Sequence, residues 1–486
     1  MSMFRSPTAE YRLNIASTYV QQAAGLLHAF LAPLIAMRIW GQDLYGLWLL
    51  TTSYLAYLTL GATLGLDNAA FVLVGQRRSR AERAIVLSRV ATLLAGIAVV
   101  LGAVWLGVSR LLPDWVLLFG RIPSNLGETA RRIGNTAILF FLLGMPLAGA
   151  TGAISGVGKQ HWRSLIEAAI SVLSLASIGA CALFHLGIVA FVYAFFCIQF
   201  AAGVARLIVV RRVLAASPPT VEGDPPSSWG TLLRCALPTL GGTLAGVGLQ
   251  VVETFALGRF FPLGMVATYV LVNKVINLAF AFCMSINLAL GASIARAFRE
   301  GRDVPRLVDR FEARSMAIGG FVATGLVLYT SPFVRFWLGG EARPSQTLVL
   351  CLCLYGLLYL RTNLYTVILN AGGFVLRIAV VVWMEFAAKT LALLALVAPL
   401  GLVALPVAGI VSSAFLPNLL LPAALRGKGL ADPRSMGRFL PPLAAVFAAH
   451  GIAISGIEPL RWTVGAALLA LEAAIAWKAW KTEVEW

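Results

Sequence analysis

The sequence predicts an all-α polytopic membrane protein of about fourteen transmembrane helices. Three observations carry that prediction. Of the 486 residues, 59% are hydrophobic and 12% are charged, against roughly a quarter charged in soluble domains. The apolar residues run in blocks of about 20 or more, the length a helix needs to cross hydrocarbon, and do not alternate as barrel strands do. The positive charge gathers on every second segment between blocks, the positive-inside pattern of alternating helices.

In order, the blocks lie at about 13–36, 46–74, 85–108, 133–156, 163–184, 187–208, 231–257, 264–292, 311–334, 346–369, 374–397, 400–425, 439–456 and 462–480. The first is too long for a signal-peptide core, and no small-residue cleavage site follows it, so it reads as a retained helix. Block two ends in Arg77, Arg78, Arg80 and Arg83, block four in Lys159 and Arg163, and block six in Arg206, Arg211 and Arg212. Arg296, Arg299, Arg302, Arg306 and Arg310 follow block eight; Arg426, Lys428, Arg434 and Arg438 follow block twelve; Lys478 and Lys481 close the chain. Both termini are then cytoplasmic. The longest outer loop, 109–132, carries Arg110, Arg121, Arg131 and Arg132. Block thirteen is short and opens on Pro441-Pro442. The net charge of +17, distributed this way, speaks for topology and attraction to anionic membrane lipid rather than for nucleic acid.

Six blocks precede the polar stretch "AASPPTVEGDPPSSWG" (215–230) and eight follow it. Its paired prolines make a hydrated linker. The expected organisation is an N-lobe at 1–212, a cytoplasmic linker at 213–230, a C-lobe at 231–428 and two further helices in 429–486. A weak internal repeat agrees. "GQDLYGLWLLTTSYL" (41–55) overlays "PLGMVATYVLVNKVI" (262–276), and "SGVGKQHWRSLIEAAIS" (155–171) overlays "LNAGGFVLRIAVVVWME" (369–385). An even number of helices per lobe makes the repeats parallel, related by an axis along the membrane normal.

Catalytic signatures are missing from the sequence. It has no Walker-type lysine loop, no H-E-x-x-H and no D-x-D. The four histidines (His28, His161, His185, His450) form no metal spacing, and the six cysteines all lie in apolar blocks, as packing residues do. Three small-x-x-x-small pairs, Gly61/Gly65, Gly152/Gly156 and Gly242/Gly246, suit close helix approach.

The informative residues are ionisable ones inside the blocks, because a charge in hydrocarbon costs about 2.5–3.5 kcal/mol even on the lenient insertion scale. Asp67 reads either as a local cap or partner of Arg89, or as an acid facing a cavity. Glu167 can snorkel or pair with Arg163, and Glu253 can pair with Lys274 or stand as a coupling acid. Glu385 and Lys389 are spaced to neutralise each other on one helix face. Glu472 reads as structural or at the lipid interface. Lys274 shares a face with Asn277 beside Asn273, a polar lining. Arg361, with Asn363 nearby, suits phosphate or carboxylate recognition.

The segment "LAPLIAMRIWGQDLYGLWLLTTSYLAYLTLGATLGLDNAAFVLVGQ" (31–76) resembles the opening of the O-antigen-type (Wzx-like) oligosaccharide flippases of the polysaccharide transport family. The superfamily also holds MATE exporters and lipid II flippases. "LPTLGGTLAGVGLQVVETFALGRFFPLGMVATYVLVNKV" (237–275) resembles the start of that family's second lobe. The resemblance implies two six-helix lobes around a cavity that opens alternately to each side. It implies a substrate, an undecaprenyl-pyrophosphate-linked oligosaccharide carried to the outer leaflet, with a glycan polymerase and assembly proteins as further partners. No cofactor is implied beyond proton or sodium coupling, for which Asp67 and Glu253 are the candidates. Arg38, Lys274 and Arg361 are the candidate pyrophosphate cations, and Asn68, Asn273, Asn277, Gln250, Tyr54 and Trp48 are available to sugars. These positions come from the charge and polarity pattern, in which deep acids are as frequent as deep bases. A cation-coupled antiporter of the same fold is the alternative. A membrane glycan polymerase is weaker, because the 109–132 loop offers only Asp114, Glu128 and its arginines.

Overall fold

A computed structural model describes residues 7–77, 79–112, 122–215, 228–300, 304–338, 344–371, 374–426, 439–455 and 457–481. Among them the only regular elements are helices: α1 (Pro7–Ala62), α2 (Leu66–Gln76), α3 (Arg80–Leu111), α4 (Gly127–Gly144), α5 (Gly149–Gly156), α6 (Gln160–Leu183), α7 (Ile188–Ala215), α8 (Trp229–Phe260), α9 (Leu263–Glu300), α10 (Val304–Trp337), α11 (Gln346–Ala371), α12 (Val375–Leu400), α13 (Ala404–Phe415), α14 (Pro417–Arg426), α15 (Leu440–Ile454) and α16 (Glu458–Lys481), with short 3-10 turns between some of them. Nine stretches of the described residues are long and apolar enough to cross a membrane. The chain is a multi-pass membrane protein.

Every apolar block is helical, but three are interrupted. α1 holds two spans, bent at Gly41 (φ 79°, ψ 172°), a backbone state that glycine alone takes cheaply. The block expected at 46–74 breaks after Ala62. Leu64 (φ 49°) and Gly65 (φ 72°) are both left-handed, and α2 restarts the span. The block at 133–156 breaks at the 3-10 turn Met145–Leu147, where Pro146 supplies no N–H to the ladder. The block at 400–425 breaks at Leu416 (φ −103°, ψ −79°), directly before Pro417, which has no N–H to continue the ladder.

The chain divides into two compact units, Met1–Ala267 and Thr268–Trp486. In the first, Leu66, Ala70, Leu73 and Val74 of α2 pack against Val86, Val90 and Leu94 of α3, Ile154 of α5 and Leu232 of α8. Lipid is as apolar as leucine, so this association rests on close packing rather than on water release. The closest seam joins α2 to α5. A Cβ on Gly152 would stand 2.0 Å from the Asp67 carbonyl oxygen, and one on Gly156 would stand 2.4 Å from that of Phe71. Of the three small-residue pairs expected to bring helices together, Gly152/Gly156 does so. Gly61 and Gly246 have nothing within 4 Å of a Cβ, and Gly65 serves the break. In the second unit, Phe311 of α10, Tyr365 and Ile368 of α11, Ile378 of α12, and Leu421 and Leu425 of α14 form one apolar cluster. α15 and α16 pack on α10, where Gly320 admits Pro442 and Glu472.

Candidate functional site

Two of the helix breaks fall together in the first unit and frame a cavity of about 420 Å³. Thr63 and Asp67 line it from the break between α1 and α2; Gly144, Met145 and Ala148 line it from the break between α4 and α5. Phe140, Phe195, Phe196 and Phe200 make an aromatic wall from α4 and α7, with Phe140 stacked on Phe196 at 6.0 Å between centroids. Gln199 and Arg206 of α7, with Thr52, Thr59 and Thr151, add to the polar lining. Because the seam of glycines holds α2 and α5 backbone to backbone, the two half-helices together form one side of the cavity.

Asp67 therefore sits in the first turn of α2, with the left-handed Gly65 as N-cap and no side chain capping the end. The helix dipole supports a carboxylate there. Its side chain makes no hydrogen bond or ion pair among the described residues and lines the cavity. Asp67 thus stands at a helix start without capping it, and its side chain lines the cavity. The alternative partner, Arg89, instead stacks over the Trp229 ring, 5.3 Å from its centroid. The side chain of Asn68 lies outside the described residues.

Glu167 pairs with Arg206 at 2.6 Å across α6 and α7, whereas Arg163 donates to the Ser155 hydroxyl. The expected Arg163 partnership is thereby corrected, and the cation on the cavity wall is neutralised from behind. Thr52 and Thr59 donate their hydroxyls to carbonyls of their own helix, which leaves only acceptor capacity facing the cavity. Trp48, expected to be open to sugar, is buried against Phe191, Phe195 and Phe196. Tyr54 donates its hydroxyl to the Thr254 carbonyl of α8 at 3.2 Å. Arg38 and Gln250 are exposed, and Glu253 is half-buried on α8. A second cavity of the first unit, about 600 Å³, is lined by Tyr54, Tyr57, Leu58, Leu101 and Ile138 and carries no charged residue.

In the second unit Arg361, Glu385 and Lys389 find polar partners inside the packing. Arg361, expected to meet a ligand, is 3% exposed. Its Nε donates to Glu312 Oε1 at 2.7 Å and its Nη1 to the Asn418 carbonyl at 3.2 Å, and its guanidinium lies 5.3 Å from the Tyr365 ring centroid. Asn418 in turn repairs the broken twelfth span. Pro417 cannot donate to the Ser413 carbonyl, and the Asn418 amide donates to it at 2.9 Å instead. Ser413 also donates its hydroxyl to Glu385, and Lys389 donates to the Tyr355 hydroxyl at 3.2 Å. Glu385 and Lys389 are 4% and 2% exposed, and so is Glu472 at 4%, which places it inside the helix packing rather than in lipid. Lys274 and Asn273 of α9 are half-buried, Asn277 is exposed, and Asn277 donates to Asn273 at 3.0 Å. The sequence reading overlooked Glu312, Asn418 and the cavity role of Arg206. Glu312 stands in the charged run "RFEAR" and Asn418 after a proline, so both look like ordinary interfacial residues. Among the described residues no three His, Cys, Asp or Glu side chains gather as a metal site would need.

No family model matches the chain, and no curated protein sequence matches it. Solved structures do. The fold is similar to that of the lipid II flippase MurJ in an inward closed conformation, with a TM-score of 0.72 at 13% identity over 96% of this chain and 99% of that one. It is similar to the Vibrio cholerae MATE transporter VcmN in its bent form, with a TM-score of 0.57 at 16% identity over 87% and 98%. A MOP superfamily transporter from Pyrococcus furiosus gives 0.56 at 14% identity over 91% and 96%. At these identities the likeness shows the fold: this chain has the all-helical architecture of the MurJ and MATE structures.

Proposed function

We propose that this chain, built on the fold of MurJ and the MATE transporters, is a secondary flippase. It carries an undecaprenyl-pyrophosphate-linked oligosaccharide from the cytoplasmic to the outer leaflet of a bacterial inner membrane, for surface polysaccharide synthesis. The observation that carries the proposal is the fold likeness to a lipid flippase along nearly the whole chain. The resemblance of residues 31–76 and 237–275 to oligosaccharide flippases gives it a substrate class. The physics suits such a cargo. The polyprenyl tail stays in hydrocarbon while the polar head crosses through protein, so no soluble domain and no nucleotide site is required.

In this reading the protein works by alternating access. Lys274, with Asn273 and Asn277 on the same helix, and Arg38 supply the cationic and amide contacts to the pyrophosphate and its first sugars. Arg361 holds the second unit together through Glu312 and Asn418 and does not enter the path. Asp67, in its cavity, and Glu253 are the groups to which proton or sodium coupling falls. A glycan polymerase and assembly proteins take the product on the outer side, with both termini of this chain in the cytoplasm. The acid-bearing, aromatic-walled cavity of the first unit favours one second reading, a cation-coupled antiporter of the same fold.

Deletion of the gene in its host, followed by lipid extraction and mass spectrometry, tests the proposal. Accumulation of a polyprenyl-pyrophosphate oligosaccharide with loss of the surface polymer is expected. Complementation by Lys274→Ala at normal expression is expected to fail. An unchanged lipid-linked pool would move the assignment to the antiporter.

A further inference from the structure

The cavity of the first unit holds one charge that nothing around it answers. Arg206 is already spent on Glu167 at 2.6 Å, so that pair contributes no net charge. Asp67 remains, lining the cavity without a side-chain partner among the described residues. A lone carboxylate inside a membrane-spanning bundle is costly unless something it binds offsets it. The helix start beneath it supplies part of the offset.

The remaining lining says what kind of ligand supplies the rest. The hydroxyl hydrogens of Thr52 and Thr59 are committed to their own helix, so those groups can only accept. The Asp67 carboxylate can only accept, and Gln199 brings the one amide that both donates and accepts. Among the described residues Arg206 keeps a buried Nε–H without an acceptor, so the wall can also donate; what it lacks is a positive group for the Asp67 carboxylate. Phe140, Phe195, Phe196 and Phe200 supply ring faces, which attract cations and also stack on the apolar faces of sugar rings. A cavity of about 420 Å³ is within the range that encloses small ligands. An acidic sugar would meet Asp67 as a like charge. A neutral sugar would leave the carboxylate uncompensated.

We propose that this cavity binds a free, protonated amino group on the transported glycan, so that the lipid-linked substrate carries an amino sugar with Asp67 as its counter-ion. The inference rests on the flippase reading and narrows it: it assigns the class of sugar, puts its recognition inside the first unit, and gives Asp67 to the cargo, which leaves proton or sodium coupling to Glu253.

The test uses the full-length protein, purified, and titrated with four probes: methyl glucosaminide, methyl N-acetylglucosaminide, methyl glucoside and methyl glucuronide. Saturation-transfer NMR or calorimetry reads binding. The free amine should bind about tenfold or more tightly than the other three, the scale of one charge-assisted contact. Asp67→Asn should erase that preference and Asp67→Glu should restore part of it. The ranking of probes on the unmodified protein stands as evidence even where a variant fails to fold. Equal binding of glucoside and glucosaminide would overturn the role of the amine. Binding of tetraphenylphosphonium or of sodium in competition with no sugar would overturn the glycan as ligand. The lipid analysis of the deletion strain separates the two layers. An accumulated glycan without a free amine overturns this inference and leaves the flippase reading standing. Amine-selective binding with no accumulated lipid-linked glycan does the reverse.

Discussion

Removing the Arg361 side chain is expected to unsettle the second unit more than any other single truncation considered. Glu312 is 1% exposed, and among the described residues its hydrogen-bond donor is Arg361 Nε at 2.7 Å, while its Oε2 is buried without a partner. Arg361→Ala leaves that carboxylate buried and alone, and takes a donor from the Asn418 carbonyl at the break before α14. Breaking a buried pair by removing one partner costs about 3–5 kcal/mol. At about 2–4 °C per kcal/mol for a unit of this size, the midpoint of thermal unfolding in detergent should fall by about 6–20 °C. Arg361→Met with Glu312→Leu removes both charges and keeps the volume, and should recover more than half of the loss. Thermal unfolding followed by tryptophan fluorescence, on both variants and the parent, reads this directly. A single variant within about 1 kcal/mol of the parent, or a double variant no better than the single, would refute the reasoning and return Arg361 to the list of residues free to meet a ligand.

Gly152→Val should force α5 away from α2, because even a Cβ at that position would stand 2.0 Å from the Asp67 carbonyl oxygen. Overpacking of this kind costs about 1–3 kcal/mol, and hydrogen exchange should show the amides of α2 and α5 both losing protection. Asn14→Ala removes an interhelical cap, in which the Asn14 Oδ1 accepts from the His161 backbone N–H at 2.9 Å while its amide donates to the Gly158 carbonyl. A loss of about 0.5–2 kcal/mol is expected, measured by thermal unfolding and with early exchange localised to the start of α6.

The number and order of the spans were legible because length and hydropathy decide them, and neither depends on distant contacts. The breaks were punctuated but overridden. Gly65, Pro146 and Pro417 are strong local signals, yet each lies inside a run so apolar that a hydropathy window passes over it. At Leu64 even the punctuation fails, because nothing about a leucine announces a left-handed backbone. Partnerships followed the same division. Gly152/Gly156 was readable as a packing pair from spacing alone. Arg361 and Glu312, by contrast, are 49 residues apart, and Glu167 and Arg206 are 39 apart, so their pairing exists only in the folded unit. Asp67 was visible as an anomaly from its charge. That it stands at a helix start and also on a cavity wall required the break, because an uninterrupted helix would have given it no N-terminal turn to occupy.

The central claim is that this protein moves a lipid-linked glycan between leaflets, and flipping in reconstituted vesicles tests it most directly. Vesicles holding the purified protein and a polyprenyl-pyrophosphate oligosaccharide would be exposed to a membrane-impermeant glycosidase, beside protein-free vesicles. The account predicts that digestion stops at the outer-leaflet fraction without protein and proceeds through the whole pool with it. Digestion that halts at the same fraction in both, with the protein folded and inserted, would contradict it.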